Sequence, residues 1–104
     1  MSYVLEVIDK SGKKVHLSKE RWKHILKHPH MHDQIEAIQD TLKSPITIRY
    51  FEGDENVRYF YKEFKDKDIS ERYLLVSVKY LNREGFIITS FFTNKITGLK
   101  WKTR

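Results

Sequence analysis

The sequence predicts an α+β domain: two N-terminal helices packed on a mainly antiparallel four-stranded sheet, with a short β-hairpin in front. Three observations carry this expectation. Apolar residues recur at helical spacing between Ser18 and Lys43. Four alternating polar–apolar segments follow from Ile46 to Asn94, separated by turn-forming residues. Nothing in the 104 residues marks a linker or a repeat, so one domain over residues 1–104 is expected.

The chain opens on YVLEVID, a strand with Tyr3, Leu5 and Val7 on one side and Val4, Glu6 and Ile8 on the other. DKSGK forms a turn and KVHL a second short strand. Ser18 is a good N-cap, with Leu17 and Trp22 spaced as a hydrophobic staple and Glu20 in the first turn. Pro29 disfavours helical geometry at His28, so the first helix is expected to end there. A second helix is expected from about Met31 to Lys43, with Met31, Ile35, Ile38 and Leu42 as its buried stripe. The strands are then ITIRYF, VRYFYKEF, RYLLVSVKYL and GFIITSFFTN, joined by EGDEN, KDKDISE and NREG.

Composition narrows the function. The net charge is +6 with 33% charged residues, which favours polyanionic partners: nucleic acid first, an acidic protein second, an anionic lipid surface third. Many small basic proteins nevertheless bind nothing anionic. There is no cysteine, hence no disulfide framework and no thiolate metal site. No apolar run is long enough to span a membrane, and Glu6 and Asp9 interrupt any signal-peptide core, so a cytoplasmic address is expected.

Four of the five histidines, His24, His28, His30 and His32, fall within nine positions. On the first helix, Arg21, His24 and His28 share a stripe that flanks the apolar face of Trp22, Ile25 and Leu26. In the last hairpin, Asn-Arg-Glu-Gly fits a type I turn with glycine as a left-handed bulge residue. That register sets Lys79 opposite Thr89 and Asn82 opposite Phe86, with Ser77, Phe91 and Thr93 on the same face. Leu74, Val76, Val78, Ile88 and Phe92 then form the core side. A polar, basic sheet face suits a phosphodiester, although antiparallel sheets often leave one face to solvent.

The segment RWKHILKHPHM, a second amphipathic helix ending in LKSP, and four strands closing on FIITSFF resemble the phage-associated barnase–EndoU–colicin–RelE-like nucleases. The match runs from about Leu17 to Phe92. Its most specific element is Trp22-x-His24-Ile25-x-x-x-Pro29, with His28 before the proline. Where members commonly carry a glutamate after His-Pro, this chain has His30. The resemblance implies a RelE/barnase-like fold and a metal-independent endoribonuclease without cofactor, acting as a toxin. RNA and an acidic antitoxin protein are the implied partners, with the chain itself a monomer or small homo-oligomer.

Metal-free RNA cleavage needs a base for the 2′-OH, an acid for the 5′-oxygen and a cation for the phosphorane. Histidine suits the first two because its unperturbed pKa lies near neutrality. His24 and His28, one helical turn apart, are the acid–base candidates; residues so spaced lie about 5–6 Å apart at Cβ. Lys79 and Thr89 are expected to clamp non-bridging oxygens, and Tyr61 to act as acid or stack a base. Arg21, Arg49, Arg58 and Ser77 are candidate substrate contacts, the face occupied by Arg49 and Arg58 being open. The competing accounts are plainer. A histidine near a helix C-terminus is favoured by the dipole, and Lys79 with Thr89 could be an ordinary cross-strand pair. His24 and His28 at i, i+4 could also chelate one ion, but no glutamate lies between them, so no metal site is expected.

Overall fold

The computed structural model describes residues 3–65 and 71–101; the loop KDKDISE falls largely outside these. The elements are β1 (Tyr3–Ile8), β2 (Lys14–Ser18), α1 (Lys19–Ile25), α2 (Ile35–Lys43), β3 (Thr47–Tyr50), β4 (Val57–Glu63), β5 (Tyr73–Leu81), β6 (Glu84–Thr93) and β7 (Leu99–Lys100). They build one seven-stranded sheet in the order β1-β2-β6-β5-β4-β3-β7.

This corrects the expectation of a four-stranded antiparallel sheet with a separate hairpin. The hairpin joins the sheet by a parallel pairing of β2 with β6, through Val15↔Gly85 and His16↔Phe86. The joint is short because β2 runs straight into α1: Ser18 ends the strand and its Oγ accepts the Arg21 N–H as the helix N-cap. Gly85 permits the close approach. A Cβ there would sit 2.8 Å from Val78 Cγ1 and 3.0 Å from Val15 Cγ2. β7 adds an edge strand beside β3.

Both helix boundaries also shift. α1 ends at Ile25, and the chain tightens into a turn in which the His28 N–H donates to the Ile25 carbonyl. His30 then takes a left-handed conformation at φ 64°. α2 starts at Ile35, because Met31–Gln34 is a turn closed by the Gln34 N–H on the Met31 carbonyl. Met31 is buried all the same, with Ile25, Ile38 and Leu42. These side chains cover one sheet face, meeting Leu5, Val7, Val15, Leu17, Phe60, Leu74, Val76 and Val78. Removing apolar surface from water there is the main stabilising contribution.

The β5–β6 hairpin turns at Asn82 and Arg83, both at positive φ (53° and 72°). Two such residues make a two-residue I′-type connection, whose twist matches the strands better than the expected type I turn. Leu81 therefore pairs with Glu84 and Lys79 with Phe86, so Lys79 does not face Thr89 and Asn82 does not face Phe86. A bulge between Ser77 and Val78 then absorbs one residue of β6, and Ser77 pairs with Thr89. Ile87, not Ile88, enters the core.

Asp9 fixes the first turn. Its Oδ1 accepts from the Ser11 N–H, the Ser11 hydroxyl and the Lys13 N–H, and its Oδ2 accepts the Tyr80 hydroxyl at 2.5 Å. Among the described residues no helix is long and apolar enough to cross a membrane.

Candidate functional site

The sheet face turned away from the helices carries most of the singled-out residues. Strand register places them in rows, since directly opposed residues point the same way. One row runs Thr89↔Ser77, Ser77↔Tyr59, Tyr59↔Arg49 and Arg49↔Lys100 across five strands. The next runs Phe91↔Leu75, Leu75↔Tyr61 and Tyr61↔Thr47. Lys79, exposed, lies one row to the other side between Val57 and Phe86.

His28 closes one end of the first row. α1 follows β2 and packs along β6, and its unwinding after Ile25 brings the half-buried His28 to this face. The His28 Nε2 lies 3.5 Å from Thr89 Oγ1, with the donor set by the imidazole tautomer. Its ring packs 5.1 Å from that of Phe91 at 43°.

The other end is held by residues 94–98, which lead from β6 to β7 and so pass β5, β4 and β3. The Thr97 N–H donates to the Tyr61 hydroxyl at 3.5 Å, and Arg49 Nη1 donates to the Gly98 carbonyl at 3.2 Å. Tyr61, only 2% exposed, lies beneath this strap. Arg49 Nε donates to Thr47 Oγ1 at 3.1 Å, so neutral groups orient the guanidinium. Burial, then Asp54 and Tyr61, push the Tyr59 phenol above its ordinary pKa. Tyr59 therefore stays protonated at neutral pH.

Other singled-out residues lie elsewhere. Arg58 pairs with Val78 and so occupies the helix-covered face. Its guanidinium lies 4.0 Å from the Trp101 ring centroid and 4.5 Å from that of Tyr80, while among the described residues its Nε has no hydrogen-bond partner. Arg21 and His24 are exposed on α1, and among the described residues no contact joins either to Thr89. His30 meets Glu71 at 3.4 Å, and His32 is exposed. Among the described residues no three His, Asp or Glu side chains form a metal-holding group.

Two residues went unnoticed in the sequence. Tyr59 shares a face with Tyr61 by simple strand alternation. His16, between the core residues Val15 and Leu17, had to face away from the helices by the same rule. It is buried between the rings of Tyr3 and Phe86, 4.5 and 5.3 Å away. Its Nε2 lies 2.7 Å from Glu84 Oε1. Its Nδ1 lies 2.7 Å from Glu6 Oε2 without making a hydrogen bond.

A family model described as phage-Barnase-EndoU-ColicinE5/D-RelE like nuclease2 matches residues 5–103. No curated protein and no solved structure matches the chain.

Proposed function

The chain belongs to the phage-Barnase-EndoU-ColicinE5/D-RelE like nuclease2 family, and on that premise we propose that it is a metal-independent RNA endonuclease acting as a toxin. The observation that carries this reading is the approach of His28 to Thr89 on a sheet face that also holds Ser77, Tyr59 and Lys79. His28 serves as the base. It takes the proton of a 2′-OH, whose oxygen attacks the adjacent phosphorus. The bond to the 5′-oxygen breaks and a 2′,3′-cyclic phosphate forms. The Thr89 hydroxyl and the Lys79 ammonium meet the charge that builds on the non-bridging oxygens. Tyr59, protonated at neutral pH, supplies the proton for the departing 5′-oxygen. The basic charge of +6 supports RNA as substrate and an acidic antitoxin protein as partner.

The test incubates the pure protein with end-labelled RNA, and with DNA of the same sequence, in EDTA. Cyclic-phosphate ends on RNA alone are expected. Cleavage that needs an added divalent cation, or equal cleavage of DNA, would overturn this chemistry. Binding without cleavage would make the chain a non-catalytic module of the same fold.

A further inference from the structure

The row from Thr89 to Lys100 has a property that a catalytic dyad does not need. It continues across five adjacent strands in one register. Strands lie about 4.8 Å apart, so its four steps span about 19 Å. More than one phosphate of an extended strand fits along that length.

The far end of the row is cationic and uncompensated. Among the described residues neither Arg49 nor Lys100 has a carboxylate within ion-pair reach. Arg49 commits two N–H groups to Thr47 and Gly98, and a guanidinium has five. Two neutral partners hold it in place and leave its charge available. Phe51, two residues beyond Arg49, packs edge-on against Tyr59 at 5.2 Å and is 42% exposed, so one of its faces is open to a base.

One side of the row is walled. The strap at residues 94–98 meets Tyr61, one row away. At the far end of the row the same strap comes up to Arg49 itself, through the Gly98 carbonyl at 3.2 Å.

We infer that this row is a track for a single-stranded polynucleotide laid across the strands, with the scissile phosphate at the His28–Thr89 end and a flanking phosphate on Arg49 and Lys100. The assignment of the scissile end rests on the nuclease reading above; the track itself is tested by binding alone.

The probe is a fluorescent 2′-O-methyl hexanucleotide, which lacks the attacking hydroxyl, compared by anisotropy with the dinucleotide and with a hairpin duplex over a range of salt. The hexanucleotide is expected to bind more tightly than either. Lys100→Ala, an exposed change, should lower the slope of log K against log salt by about 0.7, the value of one single-strand phosphate contact. Arg49→Gln should do the same, and each variant should narrow the gap between hexanucleotide and dinucleotide. Equal binding of the two lengths, a duplex bound as tightly, or an unchanged slope in Lys100→Ala at an unchanged melting temperature would overturn the track. If the hexanucleotide behaves as stated but unmodified RNA is not cut, the track stands and the nuclease reading falls.

Discussion

His28 Nε2 comes within 3.5 Å of Thr89 Oγ1 although 61 positions separate the two residues. Two local events make the contact. The chain leaves helical geometry after Ile25, and the bulge in β6 turns Thr89 to the face opposite the core.

The two helix-end histidines should therefore differ in effect. His28→Ala is expected to slow RNA cleavage by about 10²–10⁴-fold, the usual worth of a positioned acid–base group. His24→Ala, which removes an exposed side chain without a contact to Thr89, should cost much less. Single-turnover rates on labelled RNA, with melting curves for both variants, test this. A larger loss at His24 would move the base to α1.

Stability should fall in alkali through Tyr80. Burial first, and then the hydrogen bond to Asp9, raise its phenol well above the ordinary 10.0. The folded state then holds the proton more tightly than the unfolded chain. That contribution is fully present below pH 10.0 and is progressively lost as the pH rises above it. Tyr80→Phe should be less stable at neutral pH by about 1.5–3 kcal/mol, the range for a hydrogen bond to a charged group. It should also show a shallower decline above pH 10.0. Parallel alkaline unfolding profiles for the two proteins would argue against the Asp9–Tyr80 tie.

Gly85→Ala should destabilise although its backbone is not left-handed. The added methyl would meet Val78 Cγ1 at 2.8 Å, and both Tyr80 Cε1 and Val15 Cγ2 at 3.0 Å. Overpacking of this kind costs about 1–3 kcal/mol. Chemical denaturation measures it. An unchanged midpoint would mean that β2 and β5 can move apart freely.

His16→Ala should loosen the N-terminal hairpin. The imidazole links Glu6 on β1 to Glu84 on β6, across the two-residue parallel joint. Without it Glu84 loses a hydrogen-bond partner, at about 0.5–1.5 kcal/mol, and the rings of Tyr3 and Phe86 lose the buried imidazole between them. Faster amide exchange in β1 and β2 than in β4 and β5 is the expected signature. Uniform acceleration throughout the sheet would place the loss elsewhere.

Local chemistry in the sequence determined the strands from Tyr3 to Leu17 and from Ile46 to Asn94, the Ser18 cap and the apolar stripe of the second helix. These depend on spacing within a few residues, where periodicity and capping act. It also set His28 off the core face and grouped Thr89 with Ser77. Tertiary structure decided the rest. The parallel β2–β6 joint could not be foreseen from patterning, because either edge of a hairpin can accept a strand. β7, with two residues, forms only because β3 offers it an edge. The turn at Asn82–Arg83 moved Lys79 one row from Thr89, since a change of turn type shifts every cross-strand partner. Arg49 and Arg58 looked equivalent as basic strand residues, yet register put one on the open face and the other between Tyr80 and Trp101. Alternation says which residues share a face, but only the packing of distant segments says which face the helices cover.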